Sequence, residues 1–226
     1  PAFKRPARDC ECCAGELVAS PATGRYIGDK IASSEDKASQ ALRDLYDNLT
    51  PWQKTQVARH PQRPHFSDFI KGLITEFTPL AGDRKFGEDE AMIGGFGRFR
   101  GESICVIGQE KGASTESRLK HNFGMARPEG YRKAVRLMEM ADRFGIPVLS
   151  LVDSAGAYPG IGAEERGQAE AIARSTDACL SLGVATVAVI IVEGGSGGAV
   201  PLPPTHRAPP RAHAVSSVSP PAAAAY

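Results

Sequence analysis

Two apolar strands, each running into a glycine-rich loop and separated by one helix's length of chain, constrain this 226-residue sequence more than any other feature. "IPVLSLV" at 146–152 leads into "DSAGAYPGIG", a helical pattern spans Ala163 to Leu182, Gly183 ends it, and "VATVAVIIV" at 184–192 leads into "EGGSGG". A buried strand, a helix and a second buried strand make a crossover, so an α/β chain with a mostly parallel sheet is expected. In such sheets ligands gather at the loops leaving the carboxyl ends of the strands, where both glycine loops fall. The second loop continues into Pro201, Pro203 and Pro204, which forbid the helix that would ordinarily follow it.

Upstream the pattern is helical. Residues 1–33 lack periodicity and are rich in Ala, Gly, Pro and Ser, which reads as a disordered or irregular arm. From Ser34, Ala38, Leu42, Leu45 and Leu49 recur at four and three, and Thr50-Pro51 supplies an N-cap and N1 proline for a helix through Val57. Ser67 is expected to cap a third helix with Phe69, Ile70, Leu73, Ile74 and Phe77 on one face, so residues 34–80 read as an N-terminal helical segment. "LAGDRKFGED" is a turn-rich boundary, after which "AMIGGFGRFRGESICVIGQEKG" reads as two strands joined near Arg100-Gly101, opening a core over 81–198. Past a polar loop from Gly112 to Arg127, Pro128 and Glu129 open a helix with Tyr131, Val135, Met138 and Ala141 on one face and Gly145 at C′. Residues 199–226 hold 7 of the 17 prolines and 8 alanines, a composition that cannot extend a helix or bury a core and is expected to leave the tail disordered.

Composition excludes several classes. Lys plus Arg number 27 against 26 Asp plus Glu, a net charge of +1, so there is no electrostatic footprint for nucleic acid or an anionic membrane. The apolar run Val184 to Val192 is far short of the roughly 18 residues a span requires, and "PAFKRPARDC" has no signal core, so a cytoplasmic protein is expected. Five cysteines, with Cys105 and Cys179 isolated in apolar segments, describe no disulfide framework. Cys10 and Cys13 form one C-x-x-C without the second pair zinc requires, and no metal is assigned.

The glycine loops fit no nucleotide fingerprint. Gly95, Gly97 and Gly101 miss the G-x-G-x-x-G spacing, and neither Gly156 to Gly162 nor Gly194 to Gly198 contains the G-K-[S/T] of a P-loop. Ser196 lacks the flanks of a nucleophile elbow. What remains is the chemistry of glycine backbone: the N–H groups of Gly197 and Gly198 can approach a ligand oxygen closely, an oxyanion-hole arrangement, with a second donor set from Gly156 and Ala157. Taken one loop at a time, a plain tight turn is the commoner use of such glycines.

The stretch from "RPEGYRKAV" through "GAYPGIGAEERGQAEAIAR" to "EGGSGGA" resembles the alpha subunits of bacterial acetyl-coenzyme A carboxylase carboxyltransferase. "WQKTQVARHPQRPHFSDFI", "FTPLAGDRKFGEDEA", "VIGQEKG" and "HNFGMARPEGYRKA" are similar too, so the resemblance runs from about Glu35 to Ala199. It implies a crotonase-like spiral of β-β-α units with an N-terminal helical segment. It also implies carboxyl transfer from carboxybiotin, carried on a separate biotin carboxyl carrier protein, to acetyl-coenzyme A, giving malonyl-coenzyme A for fatty acid synthesis. The partners implied are a carboxyltransferase beta subunit in an α2β2 assembly and a biotin carboxylase, with no tightly bound cofactor on this chain. By motif, Gly197 and Gly198 are the catalytic amides, and Gly156, Ala157, Tyr158, Gly160, Gly194 and Gly195 shape the substrate site. The chain reads as truncated, its residues after Ala199 resembling a corrupted continuation.

Neighbouring residues carry competing uses. Asp153 reads better as an Asx cap than as a group polarising substrate. Tyr158 either lines the biotin slot or packs. Glu164 and Glu165 suit the start of their helix, with Arg166 buried against them. Lys111, Arg118, Lys120 and Arg132 read better, for the most part, as a solvated face than as contacts to coenzyme A phosphates or a partner subunit. His60 and His65, in "RHPQRPH", read as a structural turn. Two alternatives to the leading reading stand: a carboxyltransferase or biotin-dependent decarboxylase subunit acting on another acyl-coenzyme A, and a defective or non-catalytic assembly partner.

Overall fold

The structure, a computed structural model, describes residues 24–195, 198 and 214–217, with side chains described for 31–195, 198 and 214. The chain divides into two units, Pro1–Pro51 and Trp52–Tyr226. In the first, helix α1 (Gly24–Asp47) starts at Gly24 rather than Ser34. No proline interrupts the sequence between Pro21 and Pro51, so nothing stops the helix from reaching back into the expected arm. Gln40 donates to Asp44 Oδ1 at 2.8 Å one turn on, and Asn48 Nδ2 takes the Asp44 carbonyl at 2.8 Å where the helix ends.

Helix α2 (Pro51–Ala58) begins at the last residue of the first unit, and α3 (Phe66–Leu73) follows in the second. The N-cap of α3 is His65, not Ser67: its backbone N–H donates to Asp68 Oδ2 at 2.9 Å. Helix α3 stops at Leu73, and Ile74 is already extended at φ −114°, ψ 125°. Thr75, Phe77 and Thr78 favour a pleated chain over a fourth turn, so Phe77 lies in strand β1 (Thr75–Pro79) instead of on the helix face expected for it.

Strands β2 (Met92–Phe99) and β3 (Glu102–Gln109) form the hairpin anticipated at Arg100-Gly101, both of whose residues have positive φ, 53° and 89°. The polar segment that follows holds a short helix, α4 (Thr115–Lys120), capped by Ser114, and a 3₁₀ turn at Asn122–Gly124. Helix α5 (Pro128–Arg143) has Pro at N1 and ends at Phe144, with Gly145 left-handed at φ 65°. Then come β4 (Val148–Ser154), α6 (Ile161–Glu165), α7 (Gln168–Leu180), β5 (Thr186–Gly195) and β6 (Val215–Ser217). The long helix expected from Ala163 to Leu182 is broken, because Gly167 turns left-handed at φ 74° between α6 and α7.

The six strands form one mixed sheet in sequence order, β1 to β6. β1, β2 and β3 pair antiparallel; β3, β4, β5 and β6 pair parallel. Alternation along each strand sends Cys105, Ile107, Val148 and Val152 to one face, where α5 and α7 cover them with Tyr131, Leu137, Met138, Ala171 and Cys179. Val106, Leu151 and Ile191 go to the other, under Phe66 and Ile70 of α3. Within the tail expected to be disordered, the described residues include strand β6, which extends the sheet with Val215, Ser216 and Ser217 beside Glu193, Gly194 and Gly195. Backbone hydrogen bonding asks little of side-chain composition, so a proline-rich tail can still add one short strand.

Gly108 of β3, paired with Leu151, marks a close approach of α3 to the sheet: a Cβ there would run into the Leu151 carbonyl and lie 2.5 Å from the Phe66 ring. Gly108→Ala is therefore expected to cost about 1–3 kcal/mol by overpacking and lower the thermal midpoint by several degrees. An unchanged midpoint in thermal unfolding followed by circular dichroism would show that the α3–sheet gap opens freely.

Candidate active site

Three parallel strands end side by side, and polar residues at those ends cross-link them. Gln109, the last residue of β3, is fully buried; its Oε1 accepts from Asp153 N at 3.0 Å and its Nε2 donates to the Gly198 carbonyl at 3.1 Å. One amide side chain thus ties β4 to the backbone beyond β5. Two residues on, Lys111 Nζ lies 2.8 Å from Asp153 Oδ1, at the end of β4, and bonds Glu193 Oε1, at the end of β5. Arg59 takes the second Glu193 oxygen, with Nε at 2.9 Å. Gly124, left-handed at φ 76°, lets the chain cross this lysine, since a Cβ would sit 2.8 Å from both Lys111 Cγ and the Asp153 carbonyl.

The network holds its charge state by pairing. Burial would push the Glu193 carboxyl up, but Lys111 and Arg59 outweigh it and hold the group below its ordinary range. Asp153 is wholly buried, and neither oxygen has a hydrogen bond among the described residues; its contact with Lys111 is ionic. His65 Nδ1 stands 3.8 Å from Asp153 Oδ2, beyond hydrogen-bond distance, and that carboxylate, against burial and with Glu110 helping, raises the imidazole above its usual pKa. Glu110 braces the histidine's segment: its Oε2 accepts from Ser67 N at 2.9 Å and Ser67 Oγ at 2.5 Å, and its Oε1 from Gly112 N at 2.7 Å.

The first glycine loop leaves β4 here. Ser154 Oγ accepts from Gly156 N at 3.2 Å and donates to Gly156 O at 2.7 Å, so Ser154, not Asp153, makes the local turn contact. The expected Asx cap is absent because the Asp153 carboxylate turns inward to the lysine. Tyr158 N donates to the Ala126 carbonyl at 3.1 Å. Of three consecutive amides, Gly156 and Tyr158 are engaged, and Ala157 N–H alone has no hydrogen bond among the described residues. The Tyr158 ring folds back over Gly160 and carries the Arg127 guanidinium 5.2 Å from its centroid.

Gly194 and Gly195, expected in a turn, are the last two residues of β5 and are buried; Gly194 pairs with Ser154. Their lack of side chains serves close passage, because a Cβ on Gly195 would strike the Ala155 carbonyl. Gly198 is buried against Gly156, whose Cα would lie 2.8 Å from an added Cβ. The two glycine segments therefore meet, as the strand order requires. Gly197 lies outside the described residues, as do Cys10, Cys12 and Cys13.

Other expectations resolve elsewhere. Arg166 pairs with Glu129, Nε and NH2 each 3.1 Å from a carboxylate oxygen, rather than with Glu164 or Glu165. Arg132 is committed to Asp83 at 2.7 Å and Lys120 to Glu90 at 2.9 Å, so both leave the site, whereas Lys111 and Arg118 remain beside it. His65 belongs to the charge network and is more than a turn residue. Gln109, Arg59 and Glu193 escape a sequence reading; the one available signal is the polar run "QEK" directly after an apolar strand. No cluster able to hold a metal ion occurs among the described residues, and no helix among them is long and apolar enough to cross a membrane.

A mixed sheet of this order, with helices on both faces and glycine segments meeting at its parallel ends, is the crotonase-like fold of carboxyltransferases. The chain is similar to transcarboxylase 12S, a hexamer whose solved structure holds methylmalonyl-coenzyme A, with a TM-score of 0.60 at 18% identity over 77% of this chain and 32% of that one. It is also similar to the beta subunit of P. aeruginosa geranyl-CoA carboxylase, with a TM-score of 0.53 at 17% identity over 64% of this chain and 26% of that one. Within that class the chain belongs to the acetyl co-enzyme A carboxylase carboxyltransferase-like family, whose model matches residues 13–226. It is 77% identical over 222 residues to the acetyl-coenzyme A carboxylase carboxyl transferase subunit alpha of Nitrobacter winogradskyi and 78% identical to that of Nitrobacter hamburgensis, in each case over 98% of this chain and 69% of the relative. The likeness read over Glu35 to Ala199 thus extends on both sides, through the proline-rich residues after Ala199 as well.

Removing Lys111 leaves Glu193 with Arg59 and the buried Asp153 with only His65 at 3.8 Å among the described residues, and breaking a buried pair in this way costs about 3–5 kcal/mol. Lys111→Met is expected to lose about 3 kcal/mol at pH 7. Because the Glu193 carboxyl is depressed in the folded chain, its contribution is full above the ordinary value of 4.5 and is lost as pH falls through the folded one. The variant lacks most of that contribution, so the gap between parent and variant should narrow in urea titrations below pH 4.5. An equal gap at both pH values would mean the lysine acts by packing.

Proposed function

We propose that the chain is the alpha subunit of an acetyl-coenzyme A carboxylase carboxyltransferase, and that the meeting of Gly198 with the Gly156 loop is the heart of its active site. What supports the reading is that juxtaposition, in a chain of this family. The reaction moves a carboxyl group from carboxybiotin on a carrier protein to the methyl carbon of acetyl-coenzyme A. Deprotonating that methyl group develops negative charge on the thioester oxygen, and releasing the carboxyl group develops it on the ureido oxygen. Each oxygen needs fixed donors more than it needs an acid or base.

The residues on hand suit that demand. Ala157 N–H has no protein partner among the described residues, Gly156 and Tyr158 are locked on either side of it, and no side chain separates the two glycine segments. Gln109 and Lys111 hold the strand ends in register, so the amides are positioned before substrate arrives. In this reading Gly197 and Gly198 present the amides to the ureido oxygen, and Gly156, Ala157, Tyr158, Gly160, Gly194 and Gly195 form the walls. The chain works with a carboxyltransferase beta subunit in an α2β2 assembly, on a carrier charged by a biotin carboxylase, in the cytoplasm.

The test is reconstitution with a beta subunit and a carboxylated biotinyl carrier, following malonyl-coenzyme A. The complex is expected to be active and the isolated chain inactive. Gly198→Ala keeps its N–H, but its Cβ would press on the Gly156 backbone and move the amide off target; turnover should fall by about 100-fold while the subunits still co-elute, the lower end of the roughly 100- to 1,000-fold cost of one misplaced oxyanion donor. An assembled complex that makes no malonyl-coenzyme A, or a Gly198→Ala complex at full rate, would overturn the assignment.

A further inference from the structure

Asp153 lies where both neighbouring strands let go of β4. The β3–β4 pairing ends at Gly108 and Leu151. On the other side β5 advances from Ile190 to Gly194 while β4 advances only from Val152 to Ser154, so the register breaks at Asp153. The Asp153 N–H therefore falls where neither ladder continues, and a buried amide in that place needs a partner from elsewhere. Gln109 supplies it with a side chain: it follows Gly108 in β3, its Oε1 accepts the Asp153 N–H at 3.0 Å, and its Nε2 donates onward to the Gly198 carbonyl at 3.1 Å. Charged groups at the same strand ends are already engaged, Asp153 and Glu193 with Lys111, Glu193 also with Arg59, and Glu110 with Ser67 and the Gly112 amide. Gln109 is thus the donor that the Gly198 carbonyl has among the described residues.

The carboxamide fits in one orientation only: turned over, its NH2 would face the Asp153 N–H and its oxygen the Gly198 carbonyl. A glycine has no Cβ to limit its backbone angles, so the pose of Gly198 depends on what holds it, the Gly156 backbone packed against it and this one bond. Resting on the function proposed above, we infer that Gln109 is a positioning residue for carboxyl transfer, which sets the Gly198 peptide through a donated hydrogen bond and so aims the oxyanion donors of that segment. The role is more than a brace between strands, because a brace asks only for size, whereas this one asks for an acceptor at Oε1 and a donor at Nε2 in the same side chain. Being fully buried, Gln109 offers no atom to a ligand and acts through the backbone it holds.

The test is steady-state turnover of the complex reconstituted with a beta subunit and a carboxylated biotinyl carrier, for the parent, Gln109→Met and Gln109→Glu, with circular dichroism confirming the fold of each. Methionine keeps the length of the side chain but neither hydrogen-bonding atom, so kcat should fall about 100-fold, the cost of a displacement of about 1 Å at the reacting centre, while the KM for acetyl-coenzyme A stays within about twofold. Glutamate isolates the donor. As a carboxylate it still accepts from Asp153 N but has no proton for the Gly198 carbonyl; as the neutral acid it donates there. Burial and the Asp153 and Glu193 carboxylates raise the pKa of this group, and Lys111 works against them. The ratio of Gln109→Glu kcat to parent kcat should therefore be lowest near about pH 8 and climb about tenfold by about pH 6, and taking the ratio removes titrations that both proteins share, such as that of His65. A ratio close to one throughout, beside a slow Gln109→Met, also supports the role, the acid then keeping its proton. Full kcat in Gln109→Met, with or without a lowered thermal midpoint, makes Gln109 a brace and overturns the inference, as does a Gln109→Glu complex as slow as Gln109→Met at every pH, or a raised KM with kcat intact. If the parent complex makes no malonyl-coenzyme A, the carboxyltransferase reading fails and this role falls with it; an active parent with unimpaired variants rejects the role alone.

Discussion

One ammonium group organises the functional end of the sheet. Lys111 Nζ lies between Asp153 at the end of β4 and Glu193 at the end of β5, so two parallel strands that each carry a glycine segment are held at a fixed spacing by a shared cation. Without it the two carboxylates would face each other in a buried setting, and the strand ends would have to part or take up protons. The lysine reaches this position because Gly124 gives way beneath it and Glu110 anchors the next backbone amide, at Gly112, and α3 through Ser67. Gln109 adds a neutral tie in the same direction, from Asp153 N to the Gly198 carbonyl. Register, loop placement and the approach of Gly198 to Gly156 all follow from these few bonds.

A second set of buried charges supports the first glycine loop from the helix side. Glu129, at the start of α5, grips Arg166 between α6 and α7, and Arg132 bridges Asp83 to the Arg166 carbonyl. Arg166 also lies over the Phe86 ring at 4.6 Å. Lys133 bonds Glu88 and the Asp89 carbonyl, and burial pushes the Asp89 carboxyl up to about 6 against the pull of the Arg127 and Ala91 amides. Long polar side chains here do the work of tying a short helix and its loop to α5, where a purely apolar contact would leave the loop free to slide. These charges are paired within the protein.

The catalysis proposed for this frame is a matter of backbone. The sheet supplies rigid strand ends, the charge network fixes their spacing, and the segments that meet there are stripped of side chains, so amide groups can approach a ligand oxygen. Ala157 illustrates the economy: its neighbours' N–H groups are absorbed by Ser154 and Ala126, leaving one donor unclaimed within the described residues.

The sequence by itself determined the elements whose cause is local. Alternation and glycine punctuation marked β2, β3, β4 and β5, Arg100-Gly101 marked the hairpin turn, and Pro128 and Gly145 bracketed α5, because turn chemistry and side-chain periodicity act within a few residues. The motifs "GAYPGIGAEE" and "EGGSGGA" marked the family. Tertiary structure decided what depends on partners far along the chain. The chain around Phe77, locally inclined to a pleated form, became strand where β2 offered an antiparallel edge to Thr75, Thr78 and Pro79, and the 199–226 tail gained β6 because β5 offered a parallel one. Asp153 left its own loop for Lys111, and His65 turned from a turn residue into part of a charge network, because charged groups drawn out of water seek the nearest opposite charge in space, whatever their separation in sequence.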